Sequence, residues 1–278
     1  MRRVGCPAAS RSRRRHRAAA WTAAVASALA AGLWPAPQAQ AAQSARLGAA
    51  FSPYRLGGRA TIVFSFEIAA PAGQLPAALT DVDIEYPQNL GIVLSGLGLD
   101  VCSAPILEAN GTGGCPTNSV MGGGWAVAEM RFGAQIVSER ARISIARAPD
   151  EGGHIALLLY AVGPSPVDTQ ILSPAQLVPA EGPFGGQLNI QLPLVPSVPG
   201  APDVAIVQMK TTIGPQGVLY EERAGGRTLT YTPKGILLPN VCPKGGFQFA
   251  AQFEFVDGTK QSARTAVPCP TRRRQGTG

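Results

Sequence analysis

Histidine is nearly missing from this chain. Of two in 278 residues, His16 falls in a basic N-terminal stretch, so any Ser-His-Asp or Cys-His proposal has to pass through His154. No G-x-S-x-G, H-E-x-x-H, P-loop or dinucleotide fingerprint occurs, which removes the usual starting points for hydrolase and nucleotide chemistry. Aromatic residues make up 6%, and Trp125 is the one tryptophan beyond residue 34, so composition supplies no broad platform for stacking sugars. Periodic helix is almost absent, which argues against a bundle. The Ala-rich apolar run from Ala18 to Trp34 has 17 residues and is followed by Pro35, short of the ~20 strongly apolar residues a membrane span needs.

What is there begins with an address. Seven arginines lie between Arg2 and Arg17 with no acid among them, the apolar run follows, and Ala39-Gln40-Ala41 is an A-x-A cleavage signal. Residues 1–41 are therefore expected to be a signal peptide cleaved after Ala41. Ser12-Arg13-Arg14 invites a twin-arginine reading, but Arg15 and His16 stand where that signal turns apolar, and general secretion is the expectation. Cys6 precedes the apolar run and is not placed for lipid attachment. The tail TRRRQGTG carries no hydrophobic anchor, and 271–278 reads as a disordered basic end.

Removing the leader changes the electrostatics, because 17 of the 24 basic residues then face 17 acidic ones. A nucleic-acid partner loses its main support. Four cysteines remain, Cys102, Cys115, Cys242 and Cys269, an even number that suits an oxidising compartment. Three pairings are possible. Cys102 with Cys115 and Cys242 with Cys269 is the expected one, since each closes a loop the flanking chain already tends to close. The spacings are not C-x-x-C, so zinc is not expected.

Strand signals run the length of residues 42–270: Thr61 to Ile68, Val82 to Tyr86, Gly124 to Arg131, Ala141 to Ala148, Ile155 to Val162, Gln187 to Leu192, Val204 to Ile213, Val218 to Glu221 and Thr228 to Thr232. Turn residues such as Gly163-Pro164 and Gly225-Gly226 separate them. Short strands at this spacing predict an all-β sandwich, Greek-key or jelly-roll-like, as a single domain. Two segments break the rhythm. Ser103 to Glu108 has an N-cap serine and Pro105 in its first turn, which predicts one short helix near 103–109 held by the Cys102 bridge. The Pro-rich run 192–202 reads as an extended crossover and a possible sub-boundary.

The most legible piece is Cys242 to Cys269. Phe247, Phe249, Phe253 and Phe255 alternate with Gln248, Gln252 and Glu254, so one face is phenylalanine and the other polar. Asp257-Gly258 supplies the positive φ angles of a hairpin turn, and the two cysteines tie its mouth. Such a face has to be covered by a second layer.

Leu97, Cys102, a short helix, Cys115-Pro116, Ser119, Val120 and Gly122, followed by Cys242-Pro243, Gly245-Gly246-Phe247, Asp257-Gly258 and Pro268-Cys269-Pro270, resemble a pattern in secreted β-rich proteins of high-GC Gram-positive bacteria. The resemblance covers most of residues 50–270. It implies an extracellular or envelope-associated β-sandwich and carries over no catalytic residue.

Candidate chemistry is sparse. His154 stands at the entry of Ile155 to Tyr160, apolar on both faces, where a histidine is normally structural; an extracellular hydrolase using it is one alternative. Asp81, Asp83 and Glu85 project from one strand face, with Glu67 nearby, and are candidates for an oxygen-rich Ca²⁺ patch, although a straight strand spaces its carboxylates about 7 Å apart. Three glycines precede Trp125. They either present its ring on a rim, as in a carbohydrate-binding module, or permit close packing in the core, which is the expected outcome. Asn110-Gly111-Thr112 reads as a turn. The chain is thus expected to be a secreted or cell-envelope, non-catalytic binding or structural protein. It needs no cofactor, has no membrane span once the leader is gone, and has a ligand that the residues do not name.

Overall fold

A computed structural model describes residues 43–92, 100–164, 169–195, 204–214, 219–233 and 235–270. The expected signal peptide 1–41, Leu97, the expected basic tail 271–278 and most of the expected 192–202 crossover fall outside those residues.

The chain is built of strands β1 (Ser44–Ser52), β2 (Arg59–Ala69), β3 (Leu79–Pro87) and β4 (Gly91–Ile92), then helix α1 (Ala104–Asn110). There follow β5 (Val120–Phe132), β6 (Gln135–Arg147), β7 (Ile155–Val162), β8 (Gln170–Val178), β9 (Phe184–Gln191), β10 (Ala205–Ile213), β11 (Tyr220–Ala224), β12 (Arg227–Tyr231), β13 (Ile236–Leu237), β14 (Phe247–Phe255) and β15 (Lys260–Val267). One sheet of 13 strands takes the order β15-β14-β3-β9-β8-β7-β6-β5-β10-β2-β13-β4, with β1 also paired to β2; β11 and β12 form a separate hairpin. Every pairing is antiparallel.

The expected sandwich is present, with its two layers continuous in a single sheet that curls until its ends nearly meet. The phenylalanine rows face each other across the interior. Phe64 meets Phe249 edge-on at 5.6 Å between ring centroids, Phe66 meets Phe253 at 5.2 Å and Phe51 meets Phe247 at 5.2 Å. These are the edge-to-face separations that aromatic quadrupoles favour. At the far side β1 runs beside β15, and the Gln43 amide donates to the Thr259 hydroxyl at 3.1 Å, so the body is nearly a closed barrel. Closure of this kind hides the edges that would otherwise recruit other chains. The strands flanking the Pro-rich crossover, β9 and β10, belong to this same sheet.

Strand β7 is apolar on both faces because both are covered. Leu157 and Leu159 join the main core, while Ala156, Leu158 and Tyr160 pack under α1 through Leu107, with Cys102, Ala146 and Ala148. The Cys102–Cys115 bridge fastens that cap. Ser103 does stand at the N-cap, but its hydroxyl makes no capping bond; its carbonyl accepts from the amides of Ile106 and Leu107 instead. At the other hairpin, the Cys242–Cys269 bridge closes the mouth as expected. Its turn differs in one respect, since only Gly258 takes a positive φ (78°). Asp257 stays on the ordinary side and accepts from the Thr259 amide and hydroxyl at 2.9 and 2.6 Å, which holds its carboxyl below the usual carboxylate range.

The glycine triplet has a packing reason. A β-carbon on Gly124 would collide with the Lys210 carbonyl oxygen on β10, and one on Gly123 would come within 2.8 Å of the Ile143 carbonyl oxygen on β6. The two neighbouring backbones therefore close in on β5 only because side chains are missing there.

Tyr220 ties the β11–β12 hairpin to this body. Fully buried, it donates to the Val120 carbonyl at 3.1 Å and stacks edge-on to Tyr231. Burial, reinforced by Tyr231, pushes its phenol up to about 12. An unfolded chain ionises this group near 10, so its contribution to stability is complete below pH 10 and disappears as pH rises toward 12. Two units correspond to about 2.7 kcal/mol. Urea unfolding at pH 8 and pH 11 is expected to show a steeper loss for the wild type than for Tyr220→Phe; equal slopes would refute this assignment.

Candidate functional site

The interior offers little room. Among the described residues, a cavity between the layers lined by Ile62, Phe64, Met121, Leu157 and Leu188 measures about 40 Å³ with a wholly apolar wall, and another lined by Ala128, Met130, Glu139, Ala141 and Ala161 measures about 60 Å³; each has room for no more than one or two waters. A ligand site therefore has to be sought on the outside of the sheet.

The outer face of β1, β2, β10, β5 and β6 carries the candidate. Alternation along β5 turns Ala126 inward and Trp125 outward, so the tryptophan is half-buried on the surface and not in the core. The expected core placement is corrected here. Strand alternation decides it, because Ala126 is committed to the core and its neighbour Trp125 has to face out. In the cross-strand row through Trp125, Lys210 lies on one side and Arg142 on the other. Arg140, two residues before Arg142 and hence on the same face, places its guanidinium carbon 4.2 Å from the ring centroid. That separation is a cation–π contact.

Two open grooves meet at this tryptophan. The larger, about 650 Å³, runs from Trp125 over Arg140, Arg142 and Ser144 to Tyr160 and to Thr112 at the end of the α1 cap. The smaller, about 350 Å³, continues over Lys210, Gln208, Ser65, Glu67 and Arg46. Gly48 opposite Ser65 keeps that part of the surface low. The lining of the larger groove contains two guanidiniums and no carboxylate.

The acidic candidates lie in the other layer. Asp81, Asp83 and Glu85 share the outward face of β3, beside Glu254, Gln252 and Ala250 of β14 and Gln191, Asn189 and Gln187 of β9. Asp83 accepts from the Asn189 amide at 2.5 Å, and Lys260 pairs with Glu254 at 2.7 Å. The Lys260 ammonium is held above its usual range by Glu254, with Asp83 and Asp81 adding to it. Glu67, expected nearby, stands on β2 opposite Arg46, in the other half of the sheet. Among the described residues no three His, Cys, Asp or Glu side chains come together as a metal site. The Ca²⁺ reading therefore goes no further.

His154 closes the turn between β6 and β7. Its amide and carbonyl exchange hydrogen bonds with Glu151 at 2.9 and 3.1 Å across Gly152-Gly153. No hydrogen bond joins its imidazole to a serine, cysteine or acid among the described residues, so the histidine does the work of a turn.

Sequence reasoning missed Arg140, Arg142 and Lys210. Alternation did contain the signal for the first two, since Arg140, Arg142 and Ser144 interleave with Ala141, Ile143 and Ile145. Their meeting with Lys210 around one ring depends on a register that the sequence does not print. Comparison with protein-family models, with curated proteins and with solved structures finds no match to this chain.

Proposed function

We propose that this chain is an exported, non-catalytic binding protein of the cell envelope or its surroundings. Its ligand surface is the outer sheet face centred on Trp125, used in the manner of a carbohydrate-binding module. The observation that carries the reading is the convergence of two open grooves on one half-buried tryptophan, framed by polar side chains and cations, over a body whose interior is filled. Pockets that bind small molecules are usually concave with a few placed polar groups, whereas a shallow groove crossing several strands suits an extended polymer. Export is supported by the leader pattern in residues 1–41 and by two disulfides, which persist in oxidising compartments. The resemblance to secreted β-rich proteins of high-GC Gram-positive bacteria points the same way.

The test is a glycan array followed by titration of the best hit against wild type and Trp125→Ala. Removing an aromatic anchor from the centre of a binding surface weakens affinity by about tenfold or more. Trp125→Ala should therefore bind at least that much more weakly while unfolding at the same urea concentration. A variant that binds as the wild type does, or an array that stays blank, would remove the ligand surface from this face. Recovery of the protein from the cytosolic fraction would remove export.

A further inference from the structure

We propose that the ligand of this face is an acidic polysaccharide, whose anionic groups seat on Arg140 and Arg142 beside Trp125. The inference rests on the reading of this face as the ligand surface and specifies its chemistry.

Trp125 is not a free platform. The Arg140 guanidinium stands 4.2 Å over its ring, so a neutral sugar could lie flat there only by displacing the cation. A guanidinium held against an aromatic face is restricted in position, and its N–H edge stays available for hydrogen bonding. That edge is a fork matched to a carboxylate or phosphate. The tryptophan thus acts as the support that orients an anion receptor.

The surrounding charges agree. Lys210 and Arg142 flank Trp125 in one row, and Val127 separates Gln208 from Arg140 in the next. Arg140, Arg142 and Lys210 are all exposed, and none of them forms an ion pair with a described residue. Two acids stand nearby: Glu67 lies opposite Arg46 in the β1–β2 register, and Glu129 accepts from the Ser138 hydroxyl at 3.1 Å. Like charges gathered around one ring repel each other, and an incoming anion relieves that repulsion. Composition does not force the excess, because basic and acidic residues balance outside the leader. The acids Asp81, Asp83, Glu85 and Glu254 occupy the opposite layer instead. Hydroxyl and amide groups of Thr112, Ser144, Ser65 and Gln208 border the grooves, where they suit sugar hydroxyls between anionic groups. A nucleic acid would want an uncovered aromatic face for its bases, which Arg140 denies.

The test uses the full, oxidised chain and three immobilised polymers: polygalacturonate, phosphorylated dextran and fully methyl-esterified polygalacturonate, with poly(dT) as a further comparison. Saturable binding to at least one of the two polyanions is expected, weakening as salt rises from about 50 mM. The carboxylate and phosphate arms tell which anion is preferred. Arg140→Gln with Arg142→Gln should weaken it by about tenfold or more. Arg140→Lys, which keeps the charge and loses the fork, should weaken it several-fold, and Glu85→Gln, on the opposite layer, should leave it unchanged. Unchanged urea midpoints would exclude misfolding. Equal binding of the methyl ester, an unchanged double variant, poly(dT) bound as tightly as either polyanion, or no binding to either polyanion would overturn the inference. A neutral glycan bound through Trp125 would leave the ligand surface standing and overturn only its anionic character.

Discussion

Phe253→Ala is expected to lower the stability of this protein by about 3–5 kcal/mol, the range for truncating a fully buried aromatic. Phe253 is wholly inaccessible, sits mid-strand on β14 between Gln261 of β15 and Val82 of β3, and meets Phe66 across the interior at 5.2 Å. Alanine would remove the transfer free energy of the ring and leave a void bounded by two hydrogen-bonded layers, which cannot collapse onto it without breaking ladders. Against a usual total of about 5–15 kcal/mol, that is roughly a fifth of the stability or more. The neighbour Gln252 points out of the same strand, and Gln252→Ala should cost less than about 0.5 kcal/mol. Urea unfolding followed by far-ultraviolet circular dichroism measures both. A Phe253→Ala protein within about 1 kcal/mol of the wild type would mean that this layer is not the core.

Removing the Cys242–Cys269 bridge is the second large effect. The bond spans 27 residues, and a loop of that size restricts the unfolded chain by about 3.5 kcal/mol. It also sits at a junction. The Cys242–Cys269 pair lies just beyond Phe247 and Val267, the last partners in the β14–β15 ladder, and the Tyr54 hydroxyl of the β1–β2 connection donates to the Pro268 carbonyl at 2.6 Å. Cys242 packs partly against the main core as well. Cys242→Ser with Cys269→Ser should therefore unfold at markedly lower urea and fray from the hairpin mouth. Hydrogen exchange is expected to rise first at Phe247, Val267 and the Pro268 neighbourhood. If the double variant retained the wild-type midpoint, the bridge would be a passive ornament of an already rigid mouth.

How much could be read in advance depends on whether the signal was local. The β14–β15 hairpin was legible because four phenylalanines alternate with polar residues before Asp257-Gly258, and both disulfides were legible because each closes a short loop. The two-sided apolar character of β7 correctly implied a covered central strand, and the α1 cap is its cover. Strand β8 was missed because Pro174 stands in its middle. The proline is tolerated there because the β8–β9 ladder begins only at Ala175, so no donor is needed at residue 174 on that side. Strand β1 was missed because Ala45, Gly48, Ala49 and Ala50 have little intrinsic taste for extended structure; pairing with β2 imposes it. The candidate site was half legible. Trp125, Arg140 and Arg142 announce an outward face by alternation, but Lys210 reaches them through pairing of β10 with β5, some 80 residues apart in sequence. The single continuous sheet was not legible at all, since it follows from which edges meet.

That continuity sets the order in which the chain can come together. The second strand made, β2, carries Phe64 and Phe66, yet the rings they lie against, Phe249 and Phe253, belong to the second strand from the end. β1 likewise waits for β15. Contacts this distant along the chain make assembly slow, because loop closure has to precede any reward from burial. Until the last hairpin has been synthesised, Phe64 and Phe66 lack the rings that face them and the interior stays incomplete. Under the proposed export, a core that cannot close before this hairpin is made suits a channel that passes unfolded polypeptide.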